Sequence, residues 1–99
     1  MSVTVIVSFQ AKSDKIAALL EFLVSVQPKV LEAGCKSISL LQDQNQKHRI
    51  FEIEQWESAE EHQHMVKQAE ESDAFAPFAD LLEAPFEAHY LHTVRSSQA

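Results

Sequence analysis

The alternation of apolar and polar positions divides this chain into short segments with distinct periods. VTVIVSF (residues 3–9) is β-branched and apolar on both sides of its alternation, the pattern of a largely buried strand. From Ser13, a residue suited to cap a helix, apolar positions Ile16, Leu19, Leu20, Leu23, Val26 and Val30 recur at spacings of three and four. Pro28 falls inside that stripe and predicts a kink or an early end, and Gly34 supplies the left-handed stop. CKSISLLQD (35–43) and RIFEIEQW (49–56) flank a polar QNQKH connection and read as a β-hairpin. Ser58 with Glu61 three residues on forms a capping box, which starts a second helix at about Ala59. SDAFAPFADLL (72–82) predicts a further short helix capped by Ser72 or Asp73, with Phe75, Phe78, Leu81 and Leu82 as its stripe. Pro85 breaks the chain, FEAHYLHTV (86–94) returns as a final strand, and RSSQA (95–99) is a frayed tail.

The order β-α-β-β-α-(α)-β is that of a ferredoxin-like α+β fold, a four-stranded antiparallel sheet with helices on one face. Ninety-nine residues leave room for one core, so residues 1–99 form a single domain. Sorted by chemistry, Val3, Val5, Val7, Phe9, Phe51, Ile53, Phe86 and Ala88 make apolar rows. The opposite rows are mixed: Thr4, Ile6 and Ser8; Ile50, Glu52, Glu54 and Trp56; His89, Leu91 and Thr93. A first strand apolar on both sides implies that neither sheet face is fully wet. The face left bare by the helices is therefore expected to meet a second copy of the chain in a twofold homodimer.

Charge removes some partners. Eight basic against fifteen acidic side chains give a net charge of −7, and no basic stripe with interleaved aromatics is present, which argues against nucleic acid. Cys35 is the one cysteine, so no intrachain disulfide and no Cys-based zinc site can form. No apolar run approaches the ~20 residues that span a bilayer, and MSVTVIVSFQAK carries no charged region or cleavage pattern of a leader. A cytoplasmic protein with no membrane partner is the expectation. A single glycine cannot build a phosphate loop, a nucleophile elbow or a dinucleotide fingerprint. Any chemistry must come from a pocket, a few polar side chains and the reactivity of the substrate.

EEHQH (60–64) is the densest group of candidates. On a helix at ~100° per residue, His62 and His64 point about 200° apart and cannot share a metal ion. His89 and His92, three apart on a strand, also face opposite sides. The metal reading therefore fails for either pair. The same geometry makes the helical pair unequal. His62 sits at the centre of the arc formed by Ala59, Met65, Val66 and Ala69, so it points toward the sheet, where an imidazole can take or give a proton. His64 lies opposite, with Glu57, Glu60 and Glu71, as a surface residue. A buried histidine bonded to the backbone is the competing reading of His62, and a core plug that of Trp56, which otherwise offers a stacking wall for a ring. Glu52 and Glu54 alternate with Trp56 on one side of the strand; if that side is enclosed their carboxylates need partners. Cys35 reads as a core cysteine.

LEAGCKSISLLQD (31–43), FEIEQWESAEEH (51–62) and FAPFADLLEAPFEAHYLHTV (75–94), in this order and spacing, resemble the antibiotic biosynthesis monooxygenase family, small α+β proteins that include cofactor-free quinol monooxygenases. The first segment is similar to the family's Glu-Pro-Gly-Cys turn, with Ala33 in place of proline, the second to its strand–Glu-x-Trp–Ser–Glu stretch, the third to its last helix, proline turn and strand. The resemblance covers almost the whole chain. It implies a homodimer whose two sheets form an α+β barrel, a pocket between sheet and helices, and oxidation of phenols, hydroquinones or anthrones by O₂ without flavin, haem or metal. Trp56 matches the family tryptophan. Glu52 stands where some oxygenase members have asparagine, and His62 where those members have a phenolic residue. Met65 replaces a histidine common in the family, and Val66 replaces the histidine that haem-degrading relatives need, which speaks against haem oxygenation.

Three readings follow. In the first, the protein is a cofactor-independent monooxygenase acting on a small quinol or polyphenol, with His62 as proton acceptor, Trp56 as stacking wall and Glu52 as an orienting or second acidic group. In the second it is a non-catalytic or isomerase-like dimeric module that binds a small molecule in the same pocket. In the third it is a structural dimer in which His62 and Trp56 are core.

Overall fold

A computed structural model describes residues 2–99. β1 (Val3–Gln10), α1 (Ile16–Glu32), β2 (Ser37–Gln42), β3 (Arg49–Trp56), α2 (Ala59–Glu71), α3 (Phe78–Leu81) and β4 (Glu87–Leu91) follow in the expected order. The sheet runs β2-β3-β1-β4, and every neighbouring pair is antiparallel. This is the ferredoxin-like α+β fold, with the helices on one face of the sheet.

Local chemistry explains most boundaries, and corrects some. Ser58 Oγ accepts from the Glu61 N–H at 3.2 Å and opens α2 at Ala59. Ser13 does not cap α1; Lys15 occupies that position without a side-chain bond. Pro28 does not end α1, which continues one more turn to Glu32 because Val30 is buried against the core. There the Gly34 N–H donates to Leu31 O and the Cys35 N–H to Val30 O, a Schellman stop that needs the positive φ of Gly34 (122°). A second stop of the same kind ends α2. Asp73 adopts φ 59°, and the Ala74 N–H donates to Ala69 O at 2.8 Å. Asp73 thus closes α2 and neither it nor Ser72 starts α3. That helix is shorter than 72–82 because Pro77 disfavours helical backbone at Ala76 and itself becomes the cap of Phe78–Leu81. The last strand is likewise shorter than 86–94.

Strand register overturns one grouping made by chemistry alone. Val5 pairs with Glu54 and Tyr90, and Val7 with Glu52 and Ala88. The row Ile50, Glu52, Glu54, Trp56 therefore joins Val5, Val7 and Phe9 beneath the helices, while Phe51 and Ile53 lie with Ile6 and Ser8 on the bare face. Two glutamates consequently sit among Leu19, Leu23, Val30 and the strand valines in the core. No helix among the described residues is long and apolar enough to cross a membrane.

Candidate active site

The buried polar residues of the core are Glu52, Glu54 and His62. Strand pleat places Glu52, Glu54 and Trp56 at successive inward positions of β3, and the arc of α2 places His62 above them. His62 is 2% exposed, whereas His64 lies in solvent.

Trp56 Nε1–H donates to Glu54 Oε1 at 2.7 Å, and the His62 ring stands edge-on to the indole at 5.5 Å. His62 Nε2 lies 3.8 Å from the same Glu54 oxygen, too long for a hydrogen bond but close enough for strong electrostatic coupling in a dry site. On the other side of the ring, Nδ1 and the Tyr90 hydroxyl are 2.8 Å apart. Glu52 Oε2 is buried with no hydrogen-bond partner among the described residues.

Burial raises Glu52 to about 8, helped by the neighbouring charge of Glu54 and by a hydrogen bond between the two carboxyls. Glu54 is also raised by burial, against the opposing pull of bonds from Trp56 and Glu52. Glu52 is therefore the protonated member at neutral pH and donates to Glu54, a pair sharing one proton. Burial lowers His62, so the imidazole is neutral despite the nearby carboxylate: at 3.8 Å the attraction does not repay the lost hydration.

These groups line a cavity between sheet and helices. Its walls include Val7, Phe9, Leu23, Val26, Glu52, Glu54, His62, Met65, Phe75, Phe78 and Phe86, and its volume is about 30 Å³. That space takes a water or two and no aromatic ring. Phe75, Phe78 and Phe86 also line an open groove of about 490 Å³ on their other side, so they form the wall between cavity and solvent.

Of the residues singled out from sequence, His62 and Glu52 meet at the cavity. Trp56 does not line it. The indole is fully buried and touches Glu54 and His62, so it orients the polar groups and offers no stacking wall. Glu54 and Tyr90 complete the cluster. Glu54 is legible in the Glu-x-Glu-x-Trp alternation; Tyr90 emerges only from the β1–β4 register, which turns Tyr90 to the same face. Among the described residues no set of three or more His, Cys, Asp or Glu is arranged to hold a metal ion. Cys35 is buried, and its thiol, raised to about 11 chiefly by burial, is a poor nucleophile.

The family model for antibiotic biosynthesis monooxygenases matches residues 2–80, and the chain belongs to that family. Solved structures share the whole fold. A Pseudomonas aeruginosa protein is 24% identical over 95% of each chain, with a TM-score of 0.77. A Bordetella bronchiseptica protein bearing the same family description is 18% identical, over 95% of this chain and 98% of its own, at 0.79. A Chloroflexus aurantiacus protein so described is 26% identical, over 99% and 98%, at 0.75. A search of curated proteins gives no match.

Proposed function

We propose that the protein is a cofactor-independent monooxygenase that oxidises a small quinol or polyphenol with O₂, working as a homodimer in the cytoplasm. One observation carries the reading: a buried acid–base cluster, with an unpartnered carboxyl oxygen on Glu52, faces an apolar cavity. A phenol that loses its proton becomes an electron donor to O₂ without help. The phenolate gives one electron to oxygen, the radical pair combines at a ring carbon, and the resulting hydroperoxide loses water. One oxygen atom stays on the ring as a quinone carbonyl and the other leaves as water, with both electron pairs supplied by the substrate. The site has to remove a proton, return one, and keep bulk water out.

The proton passes to the pair formed by His62 and Glu54. Glu52, its proton shared with Glu54, accepts from a hydroxyl of the substrate at its other oxygen and orients it, and Trp56 holds Glu54 in place. Homodimer formation is supported by the bare sheet face, where Ile6, Leu41, Phe51, Ile53 and Leu91 stand half-buried or exposed. A reducing compartment suits a chain whose one cysteine is free and buried. The closed state of the cavity favours a second reading, a small-molecule-binding or isomerase-like module whose aromatic wall opens for one ligand.

Oxygen uptake by two histidine variants tests the first reading. His62→Ala is expected to lower quinol oxidation by at least about a hundredfold, the usual worth of acid–base assistance, and His64→Ala to leave it unchanged. Equal rates in the two variants would remove the cluster from the chemistry.

A further inference from the structure

Within that cluster the geometry points to a division of labour: we infer that Glu54 is the proton acceptor, that His62 turns its Nε2–H toward that carboxylate and stabilises its charge, and that Tyr90 is the positioning residue that holds His62 in the tautomer this requires. The inference rests on the acid–base reading above and assigns its atoms.

Tyr90 sets the direction of the hydrogen bonds. Its hydroxyl meets His62 Nδ1 at 2.8 Å, and one of the two must donate. A phenolic O–H is the stronger acid and an imidazole lone pair the stronger base, so the favourable direction is Tyr90 O–H to Nδ1. Burial raises Tyr90 above the ordinary tyrosine value, against an opposing pull from the Gln63 side chain, so the phenol keeps its hydrogen and has it to give to His62. A neutral imidazole whose Nδ1 accepts carries its hydrogen on Nε2, and Nε2 faces Glu54 Oε1 at 3.8 Å. Donors thus run in one direction, from Tyr90 through His62 toward the carboxylate.

The remaining neighbours agree. Trp56 Nε1–H donates to the same Glu54 oxygen, and the protonated Glu52 donates from the adjacent inward position of β3. From α1 the cavity receives Leu23, Val26 and Val30, none of them charged. Every polar group facing Glu54 is a donor, so the carboxylate is where negative charge collects and where a substrate proton arrives. His62 has no lone pair turned to the cavity in this arrangement. Its ring instead stabilises the carboxylate before transfer, and the proton returns from Glu54 to the peroxide oxygen later in the cycle.

Nitrogen-15 NMR of the imidazole rings in the resting protein reads the tautomer without any substrate, the His62 signals being assigned by their loss in His62→Ala. The expected pattern is hydrogen on Nε2, with Tyr90→Phe shifting His62 toward a mixture. Hydrogen on Nδ1, or a pattern unchanged by Tyr90→Phe, would overturn the inference. On the activity side, His62→Gln retains a donor and is expected to keep at least tenfold more oxygen uptake than His62→Ala, whereas Glu54→Gln, the same shape without a base, is expected to lose a hundredfold or more. Equal loss in His62→Gln and His62→Ala, with Glu54→Gln active, would make His62 the base. If the wild-type protein oxidises no quinol, the monooxygenase reading falls alone, and the NMR result still decides the tautomer.

Discussion

With Oε2 unpartnered and its residue 5% exposed, Glu52 shows what a buried acid costs and how the fold avoids that cost. An ionised carboxylate there would be several kcal/mol out of balance, so the group holds its proton up to about pH 8. Because the folded value lies above the ordinary 4.5, the contribution to stability is complete below about pH 4.5, erodes as pH rises, and is lost through about pH 8. The shift corresponds to roughly 3–5 kcal/mol across that window. Glu52→Gln presents a neutral donor at every pH. Urea unfolding at pH 5 and pH 9 is expected to show a much smaller loss for the variant, and the variant more stable than wild type at pH 9. Parallel losses would mean that Glu52 is not the protonated member of the pair. The sequence marked this residue through the Glu-x-Glu-x-Trp alternation. It could not say whether that row was wet, because burial is a property of the register.

At the scale of elements, the strands and helices were readable where a local device sets them. The Ser58 cap of α2, the apolar stripe of α1 and the turn before Arg49 each act within a few residues, and each lies where the pattern puts it. Asp73 was misread because an aspartate serves equally as an N-cap and as a left-handed stop, and the deciding bond, Ala74 N–H to Ala69 O, belongs to the preceding helix. Face assignment failed for β3 for a different reason. Alternation gives two rows per strand, and only cross-strand pairing says which row joins which; Val7 opposite Glu52 is not a pairing that hydrophobicity would select. Correct register leaves Ile6, Phe51 and Ile53 side by side on the open face, with Arg49 stacked over the Phe51 ring at 5.5 Å. An apolar row in the middle of a bare sheet is where the proposed homodimer would place its second copy. Ile53→Asp puts a charge at its centre without touching the cluster on the opposite face. Sedimentation is expected to change from the mass of two chains to that of one, with the circular dichroism of the fold retained. An unchanged two-chain mass would place the contact elsewhere.

Considered whole, the molecule is a frame that brings four strands and three helices around one buried polar cluster. The order of elements was enough to recognise that frame, since few topologies accommodate a strand, a helix, a hairpin, a helix and a returning strand. The pocket was legible as a location but not as a volume. A space of about 30 Å³ behind Phe75, Phe78 and Phe86 depends on how three rings pack at centroid distances of 5.2–5.9 Å, which no pattern along the chain encodes. The aromatic substrate of the proposed reading would reach Glu52 and Glu54 by displacing that wall toward the groove outside it. The most direct test of the whole account is oxygen uptake by metal-stripped protein with a panel of hydroquinones and anthrones, measured against a blank without protein. The account predicts uptake well above the blank for at least one member of the panel, with one oxygen atom from labelled O₂ recovered in the product. Uptake equal to the blank across the panel would contradict the monooxygenase reading and leave the cavity as a binding site.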